Sequence, residues 1–86
     1  MPEISRFFGI IIKLYFGDHS PPHFHVEYGE YNAIVSIHTL TMIYGKLPPR
    51  VLGMVLEWAV MHQSELQELW ERAVHEQPLY KIAPLE

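Results

Sequence analysis

The hydrophobic pattern of this chain changes its period once, at the segment Gly45-Lys46-Leu47-Pro48-Pro49. Before this segment, apolar residues alternate with polar ones, which is typical of strands that have one covered face. After it, apolar residues recur at steps of three and four, which is typical of a helix packed on one side. The two patterns in this order predict an α+β domain, in which a small antiparallel sheet comes first and helical structure packs against it.

The N-terminal pattern predicts about four strands joined as a meander. They are expected at Gly9–Phe16, His23–Tyr28, Tyr31–Ile37 and Leu40–Tyr44. The first two are separated by Asp18–Pro22, where two consecutive prolines prevent a strand from continuing. Gly29-Glu30 lies between the second and the third, and its glycine favours a two-residue hairpin turn.

The C-terminal pattern predicts helical structure with one apolar stripe. The stripe is formed by Leu52, Leu56, Ala59, Gln63, Leu66, Trp70 and Ala73. Because the stripe keeps its phase throughout, the favoured prediction is one continuous helix from about Pro49 to about Glu76. The alternative is a bent pair of helices, divided near His62 by a capping box between Ser64 and Gln67.

A chain of 86 residues is long enough for one domain but not for two. We assign residues 1–47 to the β-meander, 48–77 to the helical part and 78–86 to a tail. Pro78 stops the helical pattern. The short alternating segment Leu79–Ile82 that follows it is the candidate for a fifth strand at a sheet edge.

The first half of the helical region is apolar on more than one side. Between Val51 and Met61 the only charged residue is Glu57. Met54, Trp58 and Met61 form a second stripe roughly opposite the first, and Trp and Met are residues that interfaces favour. This favours an interface with a second copy of the chain or with a cognate small protein. The alternative is that the C-terminal tail folds back over this stripe.

The densest group of reactive side chains lies between Asp18 and Glu27. His23 and His25 are two residues apart on a strand, so both imidazoles project from one face, about 6–7 Å apart. With Glu27 they form a candidate site for a divalent metal such as zinc or iron, to which Asp18 or His19 could be added from the loop. With Asp18 and His19 they are candidates for metal-free acid–base catalysis, as in the cleavage of RNA. A purely structural role, in which Asp18 ties the turn, is the third interpretation.

The net charge of −4 is unevenly distributed along the chain. Residues 1–56 contain four acidic and four basic residues, whereas residues 57–86 contain six acidic residues and two basic ones. Because an acidic surface repels phosphates, any nucleic acid is expected to bind only the N-terminal sheet half. Arg6, Lys13 and Arg50 are the candidate phosphate contacts there.

Other classes of protein are excluded by composition and by run length. The absence of cysteine excludes disulfides, zinc ribbons and thiol nucleophiles. The longest apolar run, Phe7–Ile12, is six residues long, whereas a helix that crosses a bilayer needs about 20. Met1–Phe16 contains an acidic residue and lacks the small-residue cleavage site of a signal peptide. We therefore expect a cytoplasmic protein that does not bind a membrane.

Five segments of the chain carry a family resemblance: Ile4–Ile10, Asp18–Tyr28, Gly45–Pro48, Leu56–Ala59 and Pro78–Leu85. Above all through the Pro-Pro-His-Phe-His motif of residues 21–25, the chain resembles the bacterial family called domain of unknown function 4160 over essentially its whole length. Genes of that family often lie beside those of a second small family, domain of unknown function 2442, in pairs that look like toxin–antitoxin modules.

The resemblance implies an interaction module of such a two-gene pair, which binds itself or a cognate small protein. It implies no catalytic residue and no cofactor. The alternative function is a toxin-like ribonuclease or a metal-dependent hydrolase. That alternative would use the face formed by Asp18, His19, His23, His25 and Glu27.

Overall fold

The computed structural model describes residues 2–86, which form one five-stranded antiparallel sheet followed by two helices. The strands are β1 (Glu3–Phe7), β2 (Ile10–Lys13), β3 (His23–Tyr28), β4 (Tyr31–Ser36) and β5 (Met42–Gly45), and they lie in the sheet in chain order. The helices are α1 (Pro49–Met61) and α2 (Gln63–Val74). The predicted α+β class and the predicted antiparallel meander are confirmed.

The fifth strand lies at the N-terminus and not in the tail. β1 pairs with β2 through a turn at Phe8 and Gly9, whose φ angles of 50° and 80° are both left-handed, as this type of tight hairpin requires. The predicted first strand therefore starts later than expected, and it ends at Lys13. The prediction of a strand at Leu79–Ile82 is wrong, although the Ile82 amide does donate a hydrogen bond of 2.7 Å to the Ile4 carbonyl at the β1 edge.

One face of the sheet packs against both helices and forms the core. The sheet contributes Ile10, Ile12, Phe24, Val26 and Val35, and the helices contribute Val51, Val55, Trp58, Ala59, Leu66 and Leu69. Trp58 lies at the centre, with its ring centroid 5.5 Å from that of Phe7 and 6.0 Å from that of Phe24. The opposite face of the sheet, which carries His25 and Tyr44, is not covered by a helix.

The orientation of α1 differs from the prediction by about one residue. Val51, Val55 and Trp58 are buried, whereas Leu52 and Leu56 are only half-buried. Burial of the largest apolar side chain outweighs burial of the two leucines, because an indole removes more apolar area from water than either of them. The helix therefore turns Trp58 toward the sheet.

The helical region is divided at His62, so the favoured prediction of one continuous helix is wrong and the bent pair is correct. His62 has φ −124° and ψ 22°, which lies outside helical geometry. No capping box forms, because α2 has no side-chain cap at its N-terminus. One tertiary contact and one local contact hold the junction instead. The Gln63 side chain donates from Nε2 to the Ile37 carbonyl at 2.6 Å, and the His62 ring pairs with Glu65, three residues further on, at 2.6 Å.

The predicted interface stripe does not form a single exposed surface. Trp58 is 0% exposed, and its indole N–H donates a 2.8 Å hydrogen bond to the Ala83 carbonyl, so the tail folds over this part of α1. Met54 is half-buried against the core, while Met61 is 58% exposed. The assignment of Trp58 as a partner-binding residue is therefore wrong. Within residues 2–86, no helix is long and apolar enough to cross a membrane.

Gly45 at the end of β5 is required by the close approach of β4. Its φ is +92°, and a Cβ at this position would collide with the Asn32 carbonyl oxygen and lie 2.7 Å from the Ala33 Cα. We expect Gly45→Ala to lower the free energy of unfolding by about 2 kcal/mol or more, because strain and clash add. Urea unfolding measures this change.

Gly53, in the exposed middle of α1, provides the matched control, since a Cβ there would meet nothing within 4 Å. Gly53→Ala is expected to raise the free energy of unfolding by about 0.5–1 kcal/mol, because alanine loses less backbone entropy in a helix. Effects of the same sign and size for the two substitutions would contradict the interpretation of Gly45.

Candidate functional site

Three side chains that the sequence analysis singled out converge on one another. β3 carries His23 and His25, and the loop of residues 14–22 brings Asp18 over them. The Asp18 Oδ2 atom lies 2.8 Å from His23 Nε2 and 3.1 Å from His25 Nε2. We call these three residues the Asp-His-His cluster.

The middle of the loop is held in place by one hydrogen bond to α2 and by one within the loop itself. The Gly17 amide donates to the Ala73 carbonyl at 3.1 Å, which ties the residue before Asp18 to the last turn of α2. Gly17 adopts a left-handed φ of 70° there, a conformation that glycine reaches without strain. One Asp18 oxygen accepts the His19 amide at 3.0 Å, which orients the carboxylate so that its other oxygen faces the imidazoles.

Aromatic rings flank the two histidines. The His23 ring lies 5.1 Å from that of Trp70 in α2, and the His25 ring meets Tyr15 edge-on at 4.4 Å between centroids. His23 is buried, and His25 is only partly covered. One side of the Asp-His-His cluster is therefore enclosed by α2, and the other side, at His25, faces the open side of the sheet.

The hydrogen bonds of His23 constrain what lies between it and Asp18. Its Nδ1–H donates to the Pro21 carbonyl at 2.8 Å, since a carbonyl oxygen can only accept. If the ring is neutral, its Nε2 atom then carries a lone pair and no hydrogen. This lone pair would face a lone pair of the Asp18 carboxylate, which is repulsive. A hydrogen atom or a metal ion must therefore lie between these two atoms.

The ionisation of Asp18 is set by opposing effects. Partial burial raises the pKa of its carboxyl, but the hydrogen bond from His25, the His19 amide and the nearby His23 together outweigh burial. The net result is a pKa below the ordinary value of 3.8, so the carboxylate is the stable form near neutral pH. A charged carboxylate is the form that binds a metal ion.

The spacing of the ligand atoms suits a small metal ion. One ligand atom each from Asp18, His23 and His25 lies within 4.8 Å of the others. Bonds of about 2.0–2.2 Å to zinc place neighbouring ligand atoms about 3–3.5 Å apart, so small side-chain shifts complete the site. The donor set of two imidazoles and one carboxylate is used by zinc and by non-haem iron.

Two residues of the predicted site lie outside the Asp-His-His cluster. Glu27 was expected to be the carboxylate ligand, but its Oε2 atom accepts a 2.9 Å hydrogen bond from Lys13 and Asp18 takes its place. Lys13 lies on the neighbouring strand, opposite His25, within reach of Glu27. The His19 side chain is exposed, and only its backbone amide contacts Asp18.

The three candidate phosphate contacts do not converge. Arg6 pairs with Glu3 at 2.8 Å on the exposed side of β1, and Lys13 is engaged by Glu27. Arg50 lies at the start of α1, beside Phe8 and Met54 and away from the Asp-His-His cluster. The structure thus brings together the predicted metal and catalytic residues Asp18, His23 and His25, and leaves the predicted phosphate contacts dispersed.

A cavity of about 140 Å³ lies beside His25 on the open face of the sheet. Its side-chain walls are Tyr15, His25, Glu27, Asn32, Ile34 and Tyr44. The sequence analysis did not identify the aromatic and amide residues of this wall as functional. The Gly29-Glu30 turn could have indicated them. It pairs His25 with Ile34, so alternate residues of β4 lie on the same face of the sheet as the histidines.

The chain belongs to the family described as domain of unknown function (DUF4160), whose family model matches residues 9–71. The matched part contains Asp18, His23 and His25 and ends within α2. No curated protein and no solved structure matches the chain. The family description states no activity, so the chemistry of the site is argued from its geometry.

The lowered pKa of Asp18 predicts a pH-dependent contribution to the stability of the metal-free protein. A carboxyl whose pKa is depressed on folding stabilises the fold above its ordinary value of 3.8, and this stability is lost as the pH falls through the lowered pKa. We expect Asp18→Asn to lower the free energy of unfolding by about 1–2 kcal/mol near neutral pH. The difference from the unsubstituted protein should shrink in acid.

Urea unfolding of chelator-treated protein, near neutral pH and again below the ordinary pKa of Asp18, measures this dependence. Glu30→Gln is the control, because it also removes one carboxylate but lies in the exposed turn between β3 and β4. We expect it to change the free energy of unfolding much less than Asp18→Asn does. A destabilisation by Asp18→Asn that stays constant over this pH range would contradict the prediction.

Proposed function

We propose that the protein binds one divalent transition-metal ion through Asp18, His23 and His25 and uses it to hydrolyse a small substrate. The observation that carries this proposal is the convergence of three ligand atoms within 4.8 Å beside the open face of the sheet. Three protein ligands leave coordination positions for water and substrate, as in catalytic zinc sites. A metal bound in this way lowers the pKa of its water to about 7 and so supplies a nucleophile at neutral pH.

The surroundings of His23 support metal binding over a purely structural hydrogen-bond cluster. Metal-ligating histidines usually donate their second ring N–H to a carbonyl or a carboxylate, which fixes the ring and its tautomer. The Pro21 carbonyl, 2.8 Å from Nδ1, does this for His23. A structural cluster would need no exposed side, whereas His25 is accessible from the cavity.

The same geometry argues against metal-free cleavage of RNA by two histidines. A general base and a general acid must stand on opposite sides of the phosphodiester. Here both Nε2 atoms point at one carboxylate oxygen, at 2.8 and 3.1 Å, which leaves no space for a phosphodiester between them. The dispersed cations add no phosphate site. Of the enzymatic alternatives, a metal-dependent hydrolase therefore fits better than a toxin-like ribonuclease.

Metal titration tests the proposed site directly. Protein purified without a histidine tag should bind one equivalent of Co²⁺ or Zn²⁺ per chain. Calorimetry measures the binding of either ion, and the visible absorption of cobalt measures the binding of Co²⁺. We expect His25→Ala and Asp18→Asn each to weaken binding about 100-fold or more, because each removes one of three ligands. His75→Ala is the control, since its ring is exposed and bonds only to the Glu71 carbonyl of its own helix.

Two results would reject the metal site: less than about a tenth of an equivalent bound by the unsubstituted protein, or equal loss of affinity in His75→Ala. The catalytic part of the proposal is tested separately. The metal-loaded protein should hydrolyse simple aryl esters, and chelation or Asp18→Asn should abolish the hydrolysis. Metal binding without any such rate enhancement would leave a metal-binding protein that is not a hydrolase.

A second candidate function is self-association. It keeps the predicted interface on α1 but no longer includes Trp58, which is buried in the core. Val60 and Met61 are adjacent at the end of α1 and are 62% and 58% exposed. The last four residues of the tail border Met61 and form a groove with it. A second copy of the chain is the occupant that we propose, because an isologous contact doubles the area contributed by a small patch.

Light scattering at several concentrations tests this candidate. If α1 mediates a dimer, Met61→Glu should convert it to a monomer, because the substitution buries a charge in the contact. Val74→Glu places the same charge on the exposed side of α2 and should leave the dimer intact. A monomer at all concentrations, or a dimer insensitive to Met61→Glu, would remove this surface from consideration.

A further inference from the structure

The cavity beside His25 has the size of a single ring. Its volume is about 140 Å³, close to the roughly 150 Å³ of an engineered apolar cavity that holds one benzene molecule. Pockets that accept whole drug-sized ligands or cofactors measure about 300–1,000 Å³. The cavity is therefore too small for a nucleotide and large enough for one six-membered ring.

The walls of the cavity suit an uncharged planar group. The Tyr15 and Tyr44 rings and the Ile34 side chain offer apolar contacts, and aromatic rings favour edge and offset contacts with another ring. Asn32 adds an amide that both donates and accepts. Glu27 is the only acidic wall residue and is already paired with Lys13 at 2.9 Å, so the wall offers no unpaired cation for a phosphate or a carboxylate group.

Tyr44 has no structural role that would account for its position. It is 72% exposed, more than any other large apolar side chain of the described residues. Its backbone is nevertheless held firmly, because it pairs with Ile34 and is followed by Gly45, which packs against β4 too closely for any side chain. A rigidly placed, uncovered ring beside a cavity is typical of a ligand contact.

His25 joins this cavity to the Asp-His-His cluster. Its Nε2 atom points toward Asp18, while its ring also forms part of the cavity wall. His25 is the one residue that the Asp-His-His cluster and the cavity wall share, so a group that ligands a metal held by the cluster would lie next to the cavity.

We infer that the cavity is the specificity pocket of the proposed metal site, and that its substrates are aryl-substituted acyl compounds, such as aryl esters or amides. The ring occupies the space between Tyr15, Ile34 and Tyr44, and the acyl oxygen faces the metal. This inference rests on the proposed function, because it needs an open metal position next to His25.

Two hydroxamates test the inference on the zinc-loaded or cobalt-loaded protein. Acetohydroxamate and benzohydroxamate ligand a metal through the same two oxygens and differ only in a methyl group against a phenyl ring. We expect the unsubstituted protein to bind benzohydroxamate about tenfold or more tightly than acetohydroxamate, because the ring leaves water. Tyr44→Ala should reduce this ratio to about threefold or less, because it removes a wall that the phenyl ring contacts.

Two further variants separate the ring contact from other effects. Ile43→Ala removes an exposed apolar side chain of the same strand that does not line the cavity, so the ratio should be unchanged. Tyr44→Phe keeps the ring and should keep the ratio as well. Comparing ratios between variants cancels the intrinsic difference between the two hydroxamates.

The outcomes distinguish failure of the pocket from failure of the metal site. If acetohydroxamate binds but the ratio is the same in Tyr44→Ala as in the unsubstituted protein, the specificity pocket is refuted and the metal site stands. If neither hydroxamate binds the metal-loaded protein, the open coordination position is absent, and both the proposed function and the inference are overturned.

Discussion

The register of β3 against its neighbours is the constraint on which both the core and the candidate site depend. The two-residue turn at Gly29-Glu30 sets Tyr28 opposite Tyr31, and this pairing continues along both strands. Side chains of a strand alternate between faces, so a slip of one residue would turn Phe24 and Val26 toward water and the histidines toward the helices. Burial of the alternate apolar side chains excludes that arrangement. The core therefore holds His25 on the open face as a consequence of its own packing.

The second element of the fold, the helix pair, depends on where Trp58 lies. Its indole fills the space between the sheet and α1, and its N–H is satisfied only because the Ala83 carbonyl comes within 2.8 Å. A buried indole N–H without a partner would be destabilising, so the tail and the orientation of α1 are coupled. In the sequence, Met54, Trp58 and Met61 form one apolar stripe. Because Trp58 is buried, Met61 is the only one of the three that is largely exposed.

What the sequence predicts correctly here is set by local patterns, and what it misses is set by contacts between distant segments. The alternation of β3, the turn at Gly29-Glu30 and the shared face of His23 and His25 follow from spacing along one strand. The break at His62 is offered by the sequence only as an alternative, because no proline or glycine marks it and the neighbouring Gln63 side chain is held by the distant Ile37 carbonyl, just after β4. The exchange of Glu27 for Asp18 is equally non-local, since it needs the Lys13 pairing on β2.

Asp18 shows why a site of this kind is difficult to recognise from spacing alone. Four residues lie between it and His23, and a loop of that length allows more than one position for its carboxylate. One position is selected because the Gly17 amide bonds to the Ala73 carbonyl, at the far end of the chain's second helix. Trp70 of the same helix lies against His23, so α2 supports both the carboxylate loop and an imidazole. The end of α2 is therefore a supporting element of the candidate site, because it positions both the Asp18 loop and the His23 ring.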